Sequence, residues 1–557
     1  MQPEQHRPRT FATIAPPGTF LGDLAAGGTG VVVGRAVANT EFMRALVRWG
    51  SFDRFAFFVG EGADVAALEG QFVASGILPR ERLEVPHLLT LPDAMAAGAL
   101  DVLHLGGFSG TISDLVWLRD RHARRALPIT AQIHSLSYPR FIGDHLKTLL
   151  HPLRSCDAIV CSSVAGRAAV VACVASARAA LSHLGATVAE PVCSLPIIPL
   201  GVDVDRMRGG DRQRTRQRLG LRPDAVVVLG IGRFTEYDKM DIFPLLQAFR
   251  AVVDRVSDTA QCPYLVLAGA RQGTKTPEMI QLWAKLLGIS DRVVLEIDFP
   301  EAEKPHLLAA ADIFVSPSDN LQETFGLSVV EALAAGLPVV ASDFDGYKDT
   351  VSDEVGLRVP TRFAAPLGRL VEMSNLLYER PLHLLLGQAV EIDLPALETA
   401  IHTLVVDAGL RARMAKNAAA RARARYDWKV VIGEYETLWR SLAAQAVPSA
   451  PAAPHPPLAM DFESVFASFP SGVVPPERVV ARTELARTLA TGRNQYLIYP
   501  ELRHVFGDAD VLALLALAER PIALAALAAA DADARPGFAP WRRGHAIAWL
   551  IKHGLLG

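Results

Sequence analysis

The chain has 557 residues, too many for one hydrophobic core, and so divides into two or three domains. Half of its residues are hydrophobic and 21% are charged, the balance of a globular protein, and a formal net charge of −3 gives no sign of a polyanion-binding surface. Its five cysteines, Cys156, Cys161, Cys173, Cys193 and Cys262, are odd in number and lack zinc-type spacing, so they read as reduced structural thiols. Residues 1–22 read as a disordered arm without an apolar signal-peptide core. No uninterrupted apolar run reaches membrane length, because Arg167 and Arg178 break the Ala/Val-rich stretch from Val164. A cytoplasmic protein of bacterial type is expected.

From Gly30 strand and helix alternate. Residues 31–33 read as a buried strand, 39–49 as a helix capped by Asn39, and 55–59 as a second strand. Strands at 101–105, 129–133 and 157–161 follow. Short apolar strands separated by helical segments mean parallel βαβ units. The first domain is drawn at 23–200, with a turn at 200–203 leading into the second, 201–425. There 225–231, 264–268, 292–296, 312–315 and 338–341 read as five strands. Each is followed by polar or glycine residues: Gly232-Arg233, Gly269-Ala-Arg271, Asp298, Ser316-Pro-Ser318 and Ser342-Asp343. In a doubly wound sheet these loops open onto one rim, where ligands bind. An amphipathic helix (426–445), a Pro/Ala linker (446–459) and a mainly helical piece (460–557) complete the chain.

The segment from Glu323 to Ser342 is the most informative. Residues 327–335 read as a helix closed by Gly336, with Pro338 opening a strand. Glu331 is the only charge between Phe325 and Ser342. A buried carboxylate without a partner is strongly unfavourable, so something must satisfy it. A vicinal diol such as a nucleotide ribose would do so; so would a nearby Arg or a loop cap.

These motifs together resemble the family-4 glycosyltransferases of GT-B architecture, an α/β fold of two facing Rossmann-like domains with the active site in the cleft. The resemblance covers roughly residues 30–444. It is carried by Gly232-Arg233-Phe234 with Lys239, Leu267-Ala-Gly269, the run from Ala310 to Ser318, the Glu323-x7-Glu331 block, the run from Gly336 to Asp343, and Ile198-Pro-Leu-Gly201-Val-Asp203. It implies a retaining, metal-independent transferase that moves a hexose from a nucleoside diphosphate to an acceptor hydroxyl, with no cofactor beyond that sugar nucleotide.

A departing diphosphate needs fixed positive charge, which Arg233 and Lys239 on the loop after Gly232 are suited to supply. The amides around Phe325, Gly326 and Leu327 offer a second anion site at a helix start. By the resemblance, Glu331 binds the ribose and Glu323 faces the donor sugar, positioning it rather than forming a glycosyl-enzyme. Asp298, with Ile297 nearby, contacts the base, and His134 points at the sugar. Gly34 and Arg35 stand where the family has a glycine-rich phosphate loop, although the usual paired glycines are absent. The segment from Asp343 to Asp349 has one glycine where the family has two, which alters either the sugar pocket or only a turn.

A GT-B epimerase or phosphorylase, and a non-catalytic sugar-nucleotide scaffold, are the alternatives. Nucleic acid is not expected as a partner, since 460–557 lacks a basic recognition face. That piece reads as a docking or dimerisation module, with a protein or a peripheral membrane contact as its partner. The basic stretch 119–125 reads as a solvated helix end rather than a membrane-facing surface.

Overall fold

The computed structural model describes residues 7–16, 19–20, 34–60, 63–188, 190–445, 455–491, 498–530 and 539–557. Contacts divide the chain into a large unit, which holds both sheets of the expected transferase core, and a smaller one comprising 59–66, 86–91 and 458–557.

The first sheet is built from β1 (Thr10–Ile14), β2 (Arg54–Phe58), β3 (Leu83–Glu84), β4 (Val102–Leu105), β5 (Ile129–Gln132) and β6 (Ala158–Val160). All pairs are parallel, in the order β3-β2-β1-β4-β5-β6. The second sheet uses β7 (Val226–Ile231), β8 (Pro263–Gly269), β9 (Val293–Ile297), β10 (Ile313–Ser316), β11 (Val339–Ser342) and β12 (Gly356–Val359). Its order, β12-β11-β10-β7-β8-β9, is the same pattern read from the other edge. This is the strand order of the doubly wound nucleotide-binding fold. All six residues of β7 are buried. Val227, Leu229 and Ile231 enter one core cluster, and Val226 and Val228 the other. Cover on both faces is what a parallel sheet with continuous apolar strands requires.

Both sheets brace their amino ends with the same device. Asp157, just ahead of β6, receives Arg119 and the amide of Ile129 at the start of β5, the latter at 3.1 Å. Asp312, just ahead of β10, receives Arg216 at 2.6 Å, Arg212 at 2.6 Å and the amide of Val227 at 2.8 Å. Arg119 therefore points inward, only 5% exposed, and Arg125 is paired with Asp101. The stretch 119–125 is not simply a solvated helix end.

Several expectations need correction. Thr10–Ile14 is the strand next to the switch point of the first sheet, not part of a disordered arm. Its apolar core, Phe-Ala-Thr-Ile, is short, and the Pro and Arg residues around it hid it. The strand expected at 31–33 lies outside the described residues. Asn39 is no cap: it sits within helix Gly34–Trp49, buried, and donates from Nδ2 to the Thr19 carbonyl at 3.1 Å. Beyond the five strands expected in the second domain come β12 and an antiparallel pair, β13 (Thr361–Phe363) with β14 (Val390–Ile392). This pair brackets helices Gly368–Met373 and Glu379–Gln388.

Helix Trp428–Ala443 returns to the first lobe. Val431, Ile432, Tyr435, Trp439 and Leu442 form its buried stripe. Trp439 donates from Nε1 to Thr130 Oγ1 at 3.1 Å, and the amide of Ser51 donates to Glu436 at 2.8 Å. Helix Val164–His183 is, among the described residues, the one long and apolar enough to cross a membrane by length and composition, despite Arg167 and Arg178.

In the smaller unit, helices Glu484–Thr491, Asp508–Leu517, Leu524–Ala530 and Pro540–Lys552 enclose a core that includes Val480, Leu514, Leu527 and Leu550. A two-strand ladder, β15 (Val479–Val480) with β16 (Ile522–Ala523), joins them within the piece read as mainly helical.

Candidate active site

In the second sheet β7 and β10 are neighbours whose onward connections diverge, so a crevice opens beyond their carboxyl ends. Gly232 and Arg233 follow β7, and the loop after β10 carries Glu323. The rim is close-packed: a Cβ on Gly269, at the end of β8, would lie 1.6 Å from the Gly232 carbonyl oxygen. Only glycine permits that approach.

Lys239 Nζ meets Glu323 Oε2 at 2.9 Å across this crevice. Glu323 Oε1 also accepts from the amide of Gly326 at 2.8 Å. Burial alone would push the Glu323 carboxyl up; Lys239 and the amides of Phe325 and Gly326 override it and hold the carboxyl below its ordinary range. Burial would likewise lower Lys239, and Glu323 more than reverses this. Both groups are charged at neutral pH. Arg233 pairs with Asp238 at 3.3 Å on the same loop.

Gly326 opens helix Leu327–Ala334 with φ +90°, and a Cβ there would lie 2.2 Å from the ring of Tyr347. Two constraints thus demand glycine, and the first amides of the helix, beginning at Leu327, are left at the rim. Phe325 is buried beneath them. Tyr347 is fully buried; its hydroxyl bonds Ser316 Oγ at 2.8 Å and reaches Glu323 Oε2 at 3.5 Å.

Glu331 is buried as expected, and its partner is a lysine. Lys304 Nζ donates to Glu331 Oε1 at 2.9 Å and also meets Glu301 at 2.6 Å. Burial pushes the Glu331 carboxyl up, against the pull of Lys304. Ile297 ends β9 beside Gly269. Asp298 follows in the left-handed region, φ +55°, and accepts from the amide of Arg271 at 2.8 Å.

On the first lobe, His134 follows β5 and donates from Nε2 to the Gly106 carbonyl at 2.7 Å, which fixes the proton of the neutral ring on Nε2. Burial, with Arg35 nearby, lowers its pKa to about 4. Arg35 lies against Gly107, the neighbour of that carbonyl. Gly34 and Arg35 form the first described turn of helix Gly34–Trp49 rather than a loop. His104 is buried against Thr130 at 2.9 Å and belongs to the core with Phe42, Tyr435 and Trp439.

The residues that sequence reading missed complete the rim. His383, on helix Glu379–Gln388, bonds Ser137 Oγ at 2.9 Å on the first lobe and Gln322 at 2.8 Å on the second. Gln322 directly precedes Glu323. Arg380 of the same helix lies over the Tyr237 ring, and Gln388 donates to Asp241 at 3.0 Å. The helical insertion therefore touches both loops that carry the Lys239–Glu323 pair. Lys304 had a faint signal, as one of few lysines; His383 and Tyr347 had none.

Residues 211–374 match the family model described as "Glycosyl transferases group 1". The chain is 30% identical over 310 residues to the D-inositol 3-phosphate glycosyltransferase of Frankia alni, covering 52% of this chain and 73% of that protein. It belongs to the group 1 glycosyltransferases. A 36% identical match to the protein of the same name from Geodermatophilus obscurus runs over 212 residues, 36% of this chain and 44% of that relative. The chain thus spans under half the length of several such relatives. The structure of Anabaena HepE in complex with UDP and glucose aligns at TM-score 0.50 and 18% identity over 77% of this chain and 99% of that one, a likeness of fold. The two lobes have the GT-B architecture.

Proposed function

We propose that the protein transfers a hexose from a nucleoside-diphosphate sugar to an acceptor hydroxyl with retention of configuration. The observation that carries this reading is the Lys239–Glu323 pair, which seats a cation and a carboxylate together beside the Gly326 helix start at the sheet's switch point. In this reading Arg233, Lys239 and the amide of Leu327 hold the diphosphate as negative charge grows on it, while the Gly326 amide keeps Glu323 in place. Glu323 steadies the sugar, whose ring develops positive charge, and the leaving phosphate assists removal of the acceptor's proton. Lys304 fixes Oε1 of Glu331, so a ribose diol would take the other oxygen. Asp298 and Ile297 would flank the base. His134, neutral at physiological pH, would serve the sugar as a hydrogen-bonding group, and Gly34 and Arg35 would lie on the phosphate side. The curated relatives' inositol phosphate suggests a small polyol acceptor. No cofactor beyond the sugar nucleotide enters this reading.

The test is a thermal-shift screen with UDP, GDP and ADP, followed by their sugars. One nucleotide should raise the melting temperature, and its sugar should release that diphosphate only when an acceptor is present. Interconversion of the sugar without an acceptor would instead mark an epimerase.

A further inference from the structure

Asp345 lies on the turn between β11 and the short helix Tyr347–Thr350, where the backbone of Gly346 donates to its carboxyl. Its backbone has φ +49°, a left-handed conformation that costs a residue with a side chain. Its Oδ2 is buried with no hydrogen-bond partner among the described residues. Both features work against stability. Beyond that one bond the carboxyl caps nothing, because the next amides of the following helix are already bonded by main chain. The amide of Tyr347 donates to Phe344 at 3.1 Å, that of Lys348 to the Asp345 carbonyl at 3.3 Å, and that of Asp349 to Gly346 at 3.1 Å.

The turn is nevertheless fixed firmly beside Glu323. Gly346 lies so close to the Glu323 loop that a Cβ would come within 2.5 Å of the Thr324 carbonyl and the Phe325 Cα. Tyr347, on its other side, is anchored through Ser316. Burial and the charge of Glu323 push the Asp345 carboxyl up to about 8, so near neutral pH it is largely protonated and can donate a hydrogen bond. Strain and a vacant donor held at a reactive centre point to a ligand.

We propose that Asp345 donates a hydrogen bond to a hydroxyl of the hexose that Glu323 faces, and thereby selects the donor sugar. The proposal rests on the donor-site reading above. It identifies the ligand as a sugar bearing a hydroxyl at that position, since a deoxy analogue would leave the buried carboxyl unpaired and be discriminated against.

The experiment compares calorimetric titrations of wild type, Asp345→Ala, Asp345→Asn and Asp345→Gly. The ligands are whichever of UDP, ADP and GDP the wild type binds best, and its glucose ester. Asp345→Ala should weaken the glucose ester by about tenfold or more while leaving the free diphosphate within about twofold. Asp345→Asn, which still donates, should recover most of the difference. Asp345→Gly, which relieves the strain but gives up the Gly346 bond, should show the alanine loss. Equal losses for both ligands, or no loss for either, would overturn the proposal. If the wild type binds none of the three diphosphates, the donor-site reading itself fails and this proposal falls with it.

Discussion

The amino and carboxyl ends of the two sheets differ in what their charges do. At the amino ends the lobes are alike: Asp157 with Arg119, and Asp312 with Arg216 and Arg212, each tie a strand start to its neighbour. At the carboxyl ends they part. The second lobe presents Lys239 and Glu323 charged and facing each other, whereas the first offers His134, held neutral by burial. On the proposed reading, the paired charges at the amino ends serve the fold and the Lys239–Glu323 pair serves the chemistry.

The contrast can be broken most forcefully at an amino end. Arg119→Met strands Asp157, and leaving a buried charge alone costs about 3–5 kcal/mol. Chemical denaturation should show that loss, while the surviving folded fraction keeps its diphosphate affinity. At the carboxyl end the order reverses. Glu323→Ala or Arg233→Ala should lower turnover about 10²–10³-fold, the scale of one preorganised charge contact, and only Glu323→Ala, which strands Lys239, should also lower the denaturation midpoint. Turnover near wild type in both variants would remove these residues from the chemistry.

His383→Ala should come next. By releasing Gln322 from Ser137 it should reduce kcat about tenfold, the equivalent of one hydrogen bond to a positioned group, with KM for the donor little changed. His383→Asn, which can also donate and accept, should restore part of it. An unchanged kcat with a lowered melting temperature would make the contact purely architectural.

The smallest effect belongs to His145 of the first lobe, whose two ring nitrogens are buried without partners among the described residues. Burial lowers its pKa to about 4. The unfolded chain then binds a proton that the folded chain refuses, so stability falls as pH drops from about 6.5 towards 4. His145→Phe, stacked on Phe108 as the imidazole is, should flatten that slope in pH-dependent denaturation. A slope identical to wild type would show that other groups set it.

Much of the fold was legible because parallel strands buried on both faces write themselves as short apolar runs, and β7, β8 and β10 stand out for that reason. β1 did not, since five residues among Pro and Arg carry little periodic signal. β13 and β14 were hidden because they pair across 26 intervening residues, an antiparallel partnership with no local signature. At the rim the loop residues could be named, but not their pairings. The sequence shows that Glu331 needs a partner; it does not show that Lys304, 27 residues earlier, is the one. Likewise the insertion that brings His383 to Gln322 is visible only once the lobes are folded.

The most direct measurement is a crystal structure with the nucleoside-diphosphate sugar that the thermal screen selects. The diphosphate should lie within hydrogen-bond distance of Arg233, Lys239 and the amide of Leu327, with the hexose against Glu323. Phosphates bound away from these groups, with the Lys239–Glu323 pair untouched, would contradict the account.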